Sequence, residues 1–592
     1  MRELTVPALV EVPDSVTTTD TVFERAARNP GQIAFRRPGG SGWEPVSIGA
    51  FKDEVVRLAK GLIALGVRPG DRLALLSRTR YEWTLIDYAI WTAGAVTVPI
   101  YETSSVEQIS WILTDSGATG IFTETAAHAS SAREAGAERT WVIDEGGLAE
   151  LAAAGEQITD AQVEERRTAR RGGDLATLIY TSGTTGRPKG CELTHANFTE
   201  LCRNGRAGEL KVILDETGGG STLLFLPLAH VFARLIQVLV IESGVVLGHS
   251  PDIKNLLEDL GSFRPTFLLA VPRVFEKVYN GAEQKAVAGG KGKIFAKAAE
   301  TSIAYSRALD AGGPGLGLKL RHAVFDRLVY TKLREAVGGR VTHAVSGGAA
   351  LGERLGHFFR GVGITILEGY GLTETTAPVS VNTPGHLRIG TVGRPLPGTS
   401  VRIADDGEVL VKGVGVLRGY WNNETATKEA LEDGWFHTGD LGSLDGEGFL
   451  AITGRKKEIL VTAGGKNVAP APLEDRVRAH PLVSQCLVVG DGRKFISALI
   501  TLDPEALEPW QQAQGLAGLP VAELAEHPKV RAEIAKAVAD ANLSVSRAEQ
   551  IREFRILPGD FTVENGYLTP SLKVKRHLVT DDFAAEIEEI YG

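Results

Sequence analysis

Cysteine is scarce in this sequence, with three residues in all, Cys191, Cys202 and Cys486. None stands in a C-x-x-C pair, so neither a zinc site nor a disulfide framework is expected, and a reducing cytoplasm is the expected compartment. Positive charge is not in excess either. The formal net charge is −9, which argues against a general nucleic-acid binder, whose domains are normally basic. No stretch reaches the roughly 18 uncharged apolar residues of a membrane span. Leu85 to Ile100 is interrupted by Asp87, and Val231 to Gly248 by Arg234 and Glu242. The opening Met1-Arg-Glu-Leu-Thr-Val-Pro lacks the apolar core of a signal peptide. Also missing is any G-x-S-x-G nucleophile elbow.

What is there is an ordinary globular composition, 43% hydrophobic, spread over 592 residues, a length that implies more than one domain. The stretch that carries most chemistry is Leu178-Ile-Tyr-Thr-Ser-Gly-Thr-Thr-Gly-Arg-Pro-Lys-Gly190. A short apolar run from Leu175 to Tyr180 reads as a buried strand. It opens into a polar loop holding Thr181, Ser182, Gly183, Thr184, Thr185, Gly186 and Lys189. Free backbone N–H groups, hydroxyl donors and one fixed positive charge suit a polyphosphate. The loop is not a Walker loop, because Lys189 is followed by Gly190 rather than Ser or Thr. Out of context, a Gly/Ser/Thr run is as well explained by a surface turn. Thr194 is placed to cap a helix beginning at His195.

Along the chain, helical and strand-like patterns alternate. Phe51 to Leu65 has helical spacing and stops at Gly66; Arg72 to Ser77 reads as a strand, Tyr81 to Ala93 as a helix and Ala95 to Pro99 as a strand. The rhythm returns in Leu223 to Pro227, Thr266 to Ala270 and Ile364 to Glu368. Such alternation predicts α/β architecture with parallel sheets, here in two similar subdomains. Residues 281–320, with Gly289-Gly-Lys-Gly-Lys293 and Gly312-Gly-Pro-Gly315 around a helical stretch, read as an inserted surface excursion. Its lysines (Lys285, Lys291, Lys293, Lys297) suit either a solvated helix or peripheral contact with anionic lipid. From about 391, short strands with Gly-rich turns predict a small β-rich subdomain. A boundary at 453/454 leaves a C-terminal α+β domain of about 140 residues, a usual size, with a long helical pattern over Val521 to Asn542.

Further constellations follow in order. Phe225-Leu-Pro-Leu-Ala-His230 ends a strand on a histidine. Ser346-Gly-Gly-Ala349 is followed by Glu368-Gly-Tyr-Gly-Leu-Thr-Glu-Thr375. There Tyr370 can stack on a purine, Thr373 can bond phosphate and Glu374 can hold Mg²⁺. In Trp435-Phe-His-Thr-Gly-Asp-Leu441, Asp440 can accept ribose hydroxyls, and Arg455 can add a ribose or phosphate contact. Leu568-Thr-Pro-Ser-Leu-Lys573-Val-Lys-Arg576 closes the series.

Together these motifs resemble, in order and from about residue 20 to 580, the acyl-adenylate-forming superfamily. Val271-Pro-Arg-Val-Phe-Glu-Lys277 and the insertion after it resemble its long-chain fatty acyl-CoA synthetases. The resemblance implies ATP-dependent activation of a fatty acid to acyl-AMP with release of pyrophosphate, then transfer to CoA. It implies Mg²⁺, ATP and CoA as reactants and no stable protein partner. It assigns nucleotide contacts to the Thr181–Lys189 loop and to Gly347, Gly348, Ala349, Glu368, Gly369, Tyr370, Gly371, Thr373, Asp440 and Arg455, and Mg²⁺ to Glu374 with Thr181. His230 falls beside the acyl pocket, Lys457 at a hinge to a mobile C-terminal domain, and Gly464 and Gly465 on a tunnel for CoA. Lys573 is the catalytic lysine by position. It is preceded by Leu572 where the family usually has Gly, and this keeps Lys575 as an alternative. A fatty acyl-AMP ligase that loads a carrier protein is the competing reading within the superfamily.

Overall fold

The computed structural model describes residues 1–592 apart from 41, 182–186, 216–218 and 570–572, with Asp215 described in its backbone only. Ser182, Gly183, Thr184, Thr185 and Gly186, the centre of the polar loop, therefore lie outside the described residues.

Leu175–Thr181 becomes an inner strand of a seven-stranded sheet. The order is Gly419–Tyr420, Lys189–Thr194, Leu175–Thr181, Val96–Ile100, Arg72–Leu76, Gly120–Thr123 and Thr140–Val142. Pairing is parallel from Leu175–Thr181 outward to Thr140–Val142, whereas Lys189–Thr194 returns antiparallel beside Leu175–Thr181. Leu73 and Leu75 enter the main core, and Ala74 and Leu76 pack with Val98 and Ile100 on the other face. Burial on both faces makes such strands read as continuous apolar runs.

The second sheet runs Phe267–Ala270, His343–Ser346, Thr365–Leu372, Ala377–Val381, Arg394–Pro395. Its first three strands are parallel; the chain then reverses through Thr373–Thr375 into an antiparallel pair. Gly371 sits where the two strands nearly touch. A Cβ there would lie 1.6 Å from the Ala377 carbonyl oxygen, so only glycine fits. Ser221–Leu224 and Val246–His249 extend this half of the molecule, paired with a hairpin of Ile33–Gly39 and Gly42–Ser47.

The β-rich part is an antiparallel sheet of Thr399–Ile403, Glu408–Gly413, Trp435–Leu444 and Leu450–Arg455 around Val401, Val409, Val411 and Leu450. Glu3–Val6 adds an edge strand to it, with Glu3 opposite Arg402. A separate core lies beyond Glu458, on a three-stranded sheet of Val483–Val489, Ile496–Leu502 and Ile551–Ile556. Cys486 and Val488 face one set of helices, Leu487 and Val489 the other. The fold is thus α/β: a large N-terminal part of two α/β sheets plus a β-rich unit, and a smaller α+β part after it.

Two of the three charges that interrupt the apolar runs turn out to be partners. Arg234 and Asp87 are both fully buried and form an ion pair, with Thr97 donating to Asp87 at 2.7 Å and Gln237 at 3.1 Å. A buried charge is tolerated only when paired and hydrogen-bonded.

One expectation is corrected. The pattern over Val521 to Asn542 is two helices, Val521–Glu526 and Pro528–Asn542. Pro528 forces the preceding His527 out of helical geometry (ψ 129°), and His527 Nδ1 then caps the second helix by accepting from Lys529 N at 3.2 Å. The 281–320 segment, expected as a surface insertion, is tied to the body of the protein along one face. Helix Gly292–Asp310 buries Phe295, Ala298, Ser302 and Ser306, and Ser302 donates to the Phe358 carbonyl at 2.6 Å.

Candidate active site

A single cavity of about 2270 Å³ runs between the two parts of the chain. Its wall includes Thr181, Lys189, His230, Gly347, Gly348, Ala349, Glu368, Gly369, Tyr370, Gly371, Thr373, Glu374, Asp440, Arg455, Lys457 and Lys573. Residues separated by hundreds of positions thus meet on one surface. Gly464 and Gly465 do not line it. They form the turn between Leu460–Val461 and Asn467–Val468, where Gly465 takes φ +76°.

Register explains the polar wall. Asp440 and Arg455 are cross-strand partners, and Arg455 Nε donates to Asp440 Oδ1 at 2.9 Å. Tyr370, at the end of its strand, donates its hydroxyl to Asp440 Oδ2 at 2.6 Å. A carboxylate offers about four acceptor positions, so capacity for ribose hydroxyls remains. Burial, then the Asp440 charge, push the Tyr370 phenol up, which keeps it a donor.

Tyr420 is a site residue that sequence reasoning missed. Its ring lies under Lys189, with Nζ 5.0 Å from the centroid, and its hydroxyl donates to Glu374 Oε1 at 3.1 Å. Pairing of Gly419–Tyr420 with the Lys189–Thr194 strand puts it there. Glu374 Oε2 keeps no protein partner among the described residues. One free carboxylate oxygen on a cavity wall that Thr181 also lines suits Mg²⁺, which usually takes one or two protein oxygens and completes its shell with phosphate and water. Among the described residues no cluster of three His, Cys, Asp or Glu forms an all-protein metal cage.

His230 caps helix Val231–Ser243, its Nδ1 accepting from Phe232 N at 3.2 Å. The ring proton is therefore assigned to Nε2, and burial, with the Lys573 charge, pushes the imidazole down to about 4, so it is neutral. The same helix contributes Val231, Leu235 and Leu239 to the cavity at four-residue spacing, and Ile213, Phe267 and Val345 line it too. This apolar chamber has no local motif; only helical periodicity over Val231 to Ser243 could have signalled it.

Lys573 enters from the C-terminal part. Its N–H donates to Thr569 Oγ1 at 3.0 Å and its carbonyl accepts from Thr569 N at 2.8 Å. The side chain reaches water inside the cavity, yet protein surrounds it. That desolvation and the Arg455 charge hold the ammonium below its usual range, against Asp440, Glu374 and Glu458. Lys575 also lines the cavity, but it is Lys573 whose charge is felt at His230. Glu368 is buried, accepts from Leu351 N at 3.0 Å, and is pushed up to about 7 by desolvation.

With this geometry in hand, comparison with known proteins is decisive. Residues 22–421 match the AMP-binding enzyme family, and 457–592 match its C-terminal domain. The chain belongs to the AMP-binding enzymes. A long-chain-fatty-acid–CoA ligase of Mycobacterium bovis, FadD15, is 53% identical across 100% of both chains. Two solved structures share the fold. The anthranilate CoA ligase AuaEII with anthranoyl-AMP has a TM-score of 0.74 at 20% identity over 97% of this chain and 99% of its own. The o-succinylbenzoate CoA synthetase of Bacillus subtilis with ATP and magnesium has 0.68 at 21% over 97% and 100%.

Proposed function

We propose that this AMP-binding enzyme is a long-chain fatty-acid–CoA ligase. A fatty carboxylate attacks the α-phosphorus of ATP and pyrophosphate leaves; CoA thiolate then attacks the acyl carbonyl of acyl-AMP and AMP leaves. The observation that carries the reading is one cavity, about 2270 Å³, whose phosphate-suited wall adjoins an apolar chamber. Ordinary ligand sites run to roughly 300–1,000 Å³; this one has space for a nucleotide and a long chain together. Full-length similarity to a long-chain ligase supports the same substrate class. Relatives at 30% identity or more over most of both chains are named as fatty-acid–CoA ligases or long-chain acyl-CoA synthetases, which favours CoA over a carrier protein as acceptor.

In this reading Asp440 and Arg455 hold ribose, Tyr370 stacks on adenine, and Lys189, Thr373 and the Thr181 loop take phosphates. Gly347, Gly348, Ala349, Glu368, Gly369 and Gly371 shape the nucleotide wall. His230, at the junction of polar wall and apolar chamber, donates from Nε2 to the fatty carboxylate. Lys573 neutralises charge where carboxylate and α-phosphate meet, the electrostatic positioning such a step needs. Mg²⁺ on Glu374 and Thr181 would neutralise phosphate charge; the Bacillus subtilis relative was solved with ATP and that ion. Two separate cores joined through Lys456–Glu458 support a division at 453/454, with the hinge at Lys457 and a mobile C-terminal domain. Gly464 and Gly465 would meet CoA only after that domain turns. A cytoplasmic location with peripheral membrane contact completes the reading; among the described residues no helix is long and apolar enough to cross a membrane.

The test is CoA consumption across an acid panel. AMP, pyrophosphate and acyl-CoA forming in equal amounts from long-chain acids is the expected result. Acyl-AMP that accumulates despite CoA, and is discharged only to a carrier protein, would replace the ligase by the carrier-loading enzyme. Chain-length preference should be broad, since each methylene contributes only about 0.8 kcal/mol.

A further inference from the structure

Helix Leu316–Phe325 and the wider helical turn Asp326–Tyr330 after it carry an apolar ridge turned away from the protein. Leu316, Leu320, Val324 and Leu328 recur every four residues and are 87%, 71%, 50% and 54% exposed. Their exposure is not a sign of a loose helix. The opposite face is anchored. His322 donates from Nε2 to the Gly361 carbonyl at 2.6 Å and stacks on Tyr305 at 3.9 Å, Tyr330 donates to the Ala298 carbonyl at 2.7 Å, and Phe325 and Val329 pack on the main core. A rigid helix presenting four large apolar side chains to water marks a surface that something covers.

The charges beside the ridge indicate what that is. Lys319 and Arg327 follow Leu316 and Val324 by three residues and so share their face, Arg321 adjoins Leu320, and Lys332 continues the row; all four are exposed. None of them makes an ion pair among the described residues. The one acidic side chain in 311–332, Asp326, is held by Arg334 at 2.8 Å. The segment thus carries a net positive charge on a chain of net charge −9. An anionic bilayer offers both an apolar interior and negative headgroups.

We propose that the Leu316–Leu328 ridge docks this protein in the interface of an anionic lipid bilayer. The helix lies in the membrane plane with leucines among acyl chains and Lys319, Arg321, Arg327 and Lys332 at the headgroups, the arrangement of an interfacial amphipathic helix. Lys285 to Lys297, which suit either a solvated helix or lipid contact, lie on the elements just before this ridge. The proposal takes its purpose from the fatty-acid reading, because such substrates reside in bilayers, but docking needs no catalysis.

Vesicle co-sedimentation therefore tests it separately. The full chain should bind phosphatidylcholine vesicles containing phosphatidylglycerol and bind pure phosphatidylcholine weakly. Leu316→Ser with Leu320→Ser and Leu328→Ser should abolish binding. Lys319→Glu with Arg327→Glu should weaken it by about thirtyfold or more, from the loss of two cations at the surface. Both variants should keep the thermal transition and the turnover of a short, water-soluble acid. The second variant changes only exposed charges and serves should the first fold poorly. Vesicle binding unaffected by either variant would overturn the proposal. So would a wild type that ignores anionic vesicles, or one that is a dimer and becomes a monomer when the leucines are replaced.

Discussion

At the scale of single residues, Glu374 is the carboxylate whose surroundings are most specific. Tyr420 holds Oε1 at 3.1 Å, and Oε2 keeps no protein partner among the described residues on a side chain that lines the cavity. Glu374→Gln keeps the Tyr420 hydrogen bond and the fold but removes the charge. Acyl-AMP formation should fall by about 3–4 kcal/mol in barrier, two to three orders of magnitude, as for the loss of one preorganised electrostatic element. Near-normal pyrophosphate release at saturating Mg²⁺ would place the metal elsewhere. Glu368 makes the opposite kind of prediction, about stability. Desolvation raises its pKa from about 4.5 to about 7 in the folded chain. Between those values the folded state binds more protons than the unfolded, so stability falls as pH rises through this window. Above it, the buried charge costs up to about 3 kcal/mol. Glu368→Gln, which can still accept from Leu351, should therefore raise the melting temperature at pH 8 and change it little at pH 4.5. An equal shift at both pH values would mean that Glu368 is not an ionised group under strain.

At the scale of elements, helix Pro272–Ala288 shows what the Val271–Lys277 motif can do beyond resemblance. Arg273 Nη2 bonds Asp503 Oδ2 at 2.7 Å, and Lys277 lies 3.4 Å from Glu505, both across to the C-terminal part. Asp503 meanwhile caps helix Pro504–Gln514 through Oδ1, accepting from Glu505 N at 3.0 Å and Ala506 N at 3.3 Å. The contact therefore ties a helix of one part to a helix start of the other in the arrangement that brings Lys573 into the cavity. Arg273→Ala and Asp503→Asn, the latter keeping the cap, should each slow acyl-AMP formation roughly tenfold to a hundredfold, the range for a hydrogen bond between charged groups. Thioester formation from supplied acyl-AMP should be spared. The double variant should be no worse than either single one, since both remove one contact; additive losses would separate them. Such a contact is invisible in sequence, as are the Asp440–Arg455 register and the Tyr420 bridge, because each depends on how distant strands and helices meet. The strand over Leu175–Tyr180 and the Thr194 cap were legible because their chemistry is local: apolar run and capping hydroxyl each lie within a few residues. The double-sided burial of the central strands also showed, as unbroken apolar runs. The break at Pro528 was written in the sequence too, but helical periodicity on both sides of it masked the stop.

At the scale of the whole molecule, the placement of Lys573 makes the two half-reactions separable. Lys573 stands in the cavity with Glu374 and Asp440, while Gly464 and Gly465 sit on a turn outside it. If those glycines serve the CoA arm, one orientation of the C-terminal part cannot serve both steps. The 3₁₀ turn Lys456–Glu458, just after the last strand of the β-rich sheet, is where a rotation can be absorbed, as hinges confine large φ/ψ changes to a few residues. Lys573→Ala should abolish acyl-AMP formation and still convert supplied acyl-AMP and CoA to thioester. Lys457→Pro fixes one φ and restricts Lys456 before it, and Lys457 is exposed, so no core contact is lost. It should retain adenylation and lose thioester formation. Single-turnover measurement of each step decides the matter. Should each variant lose both steps to the same degree, Lys573 and the turn would belong to one rigid site, and CoA would have to approach acyl-AMP in the orientation seen here.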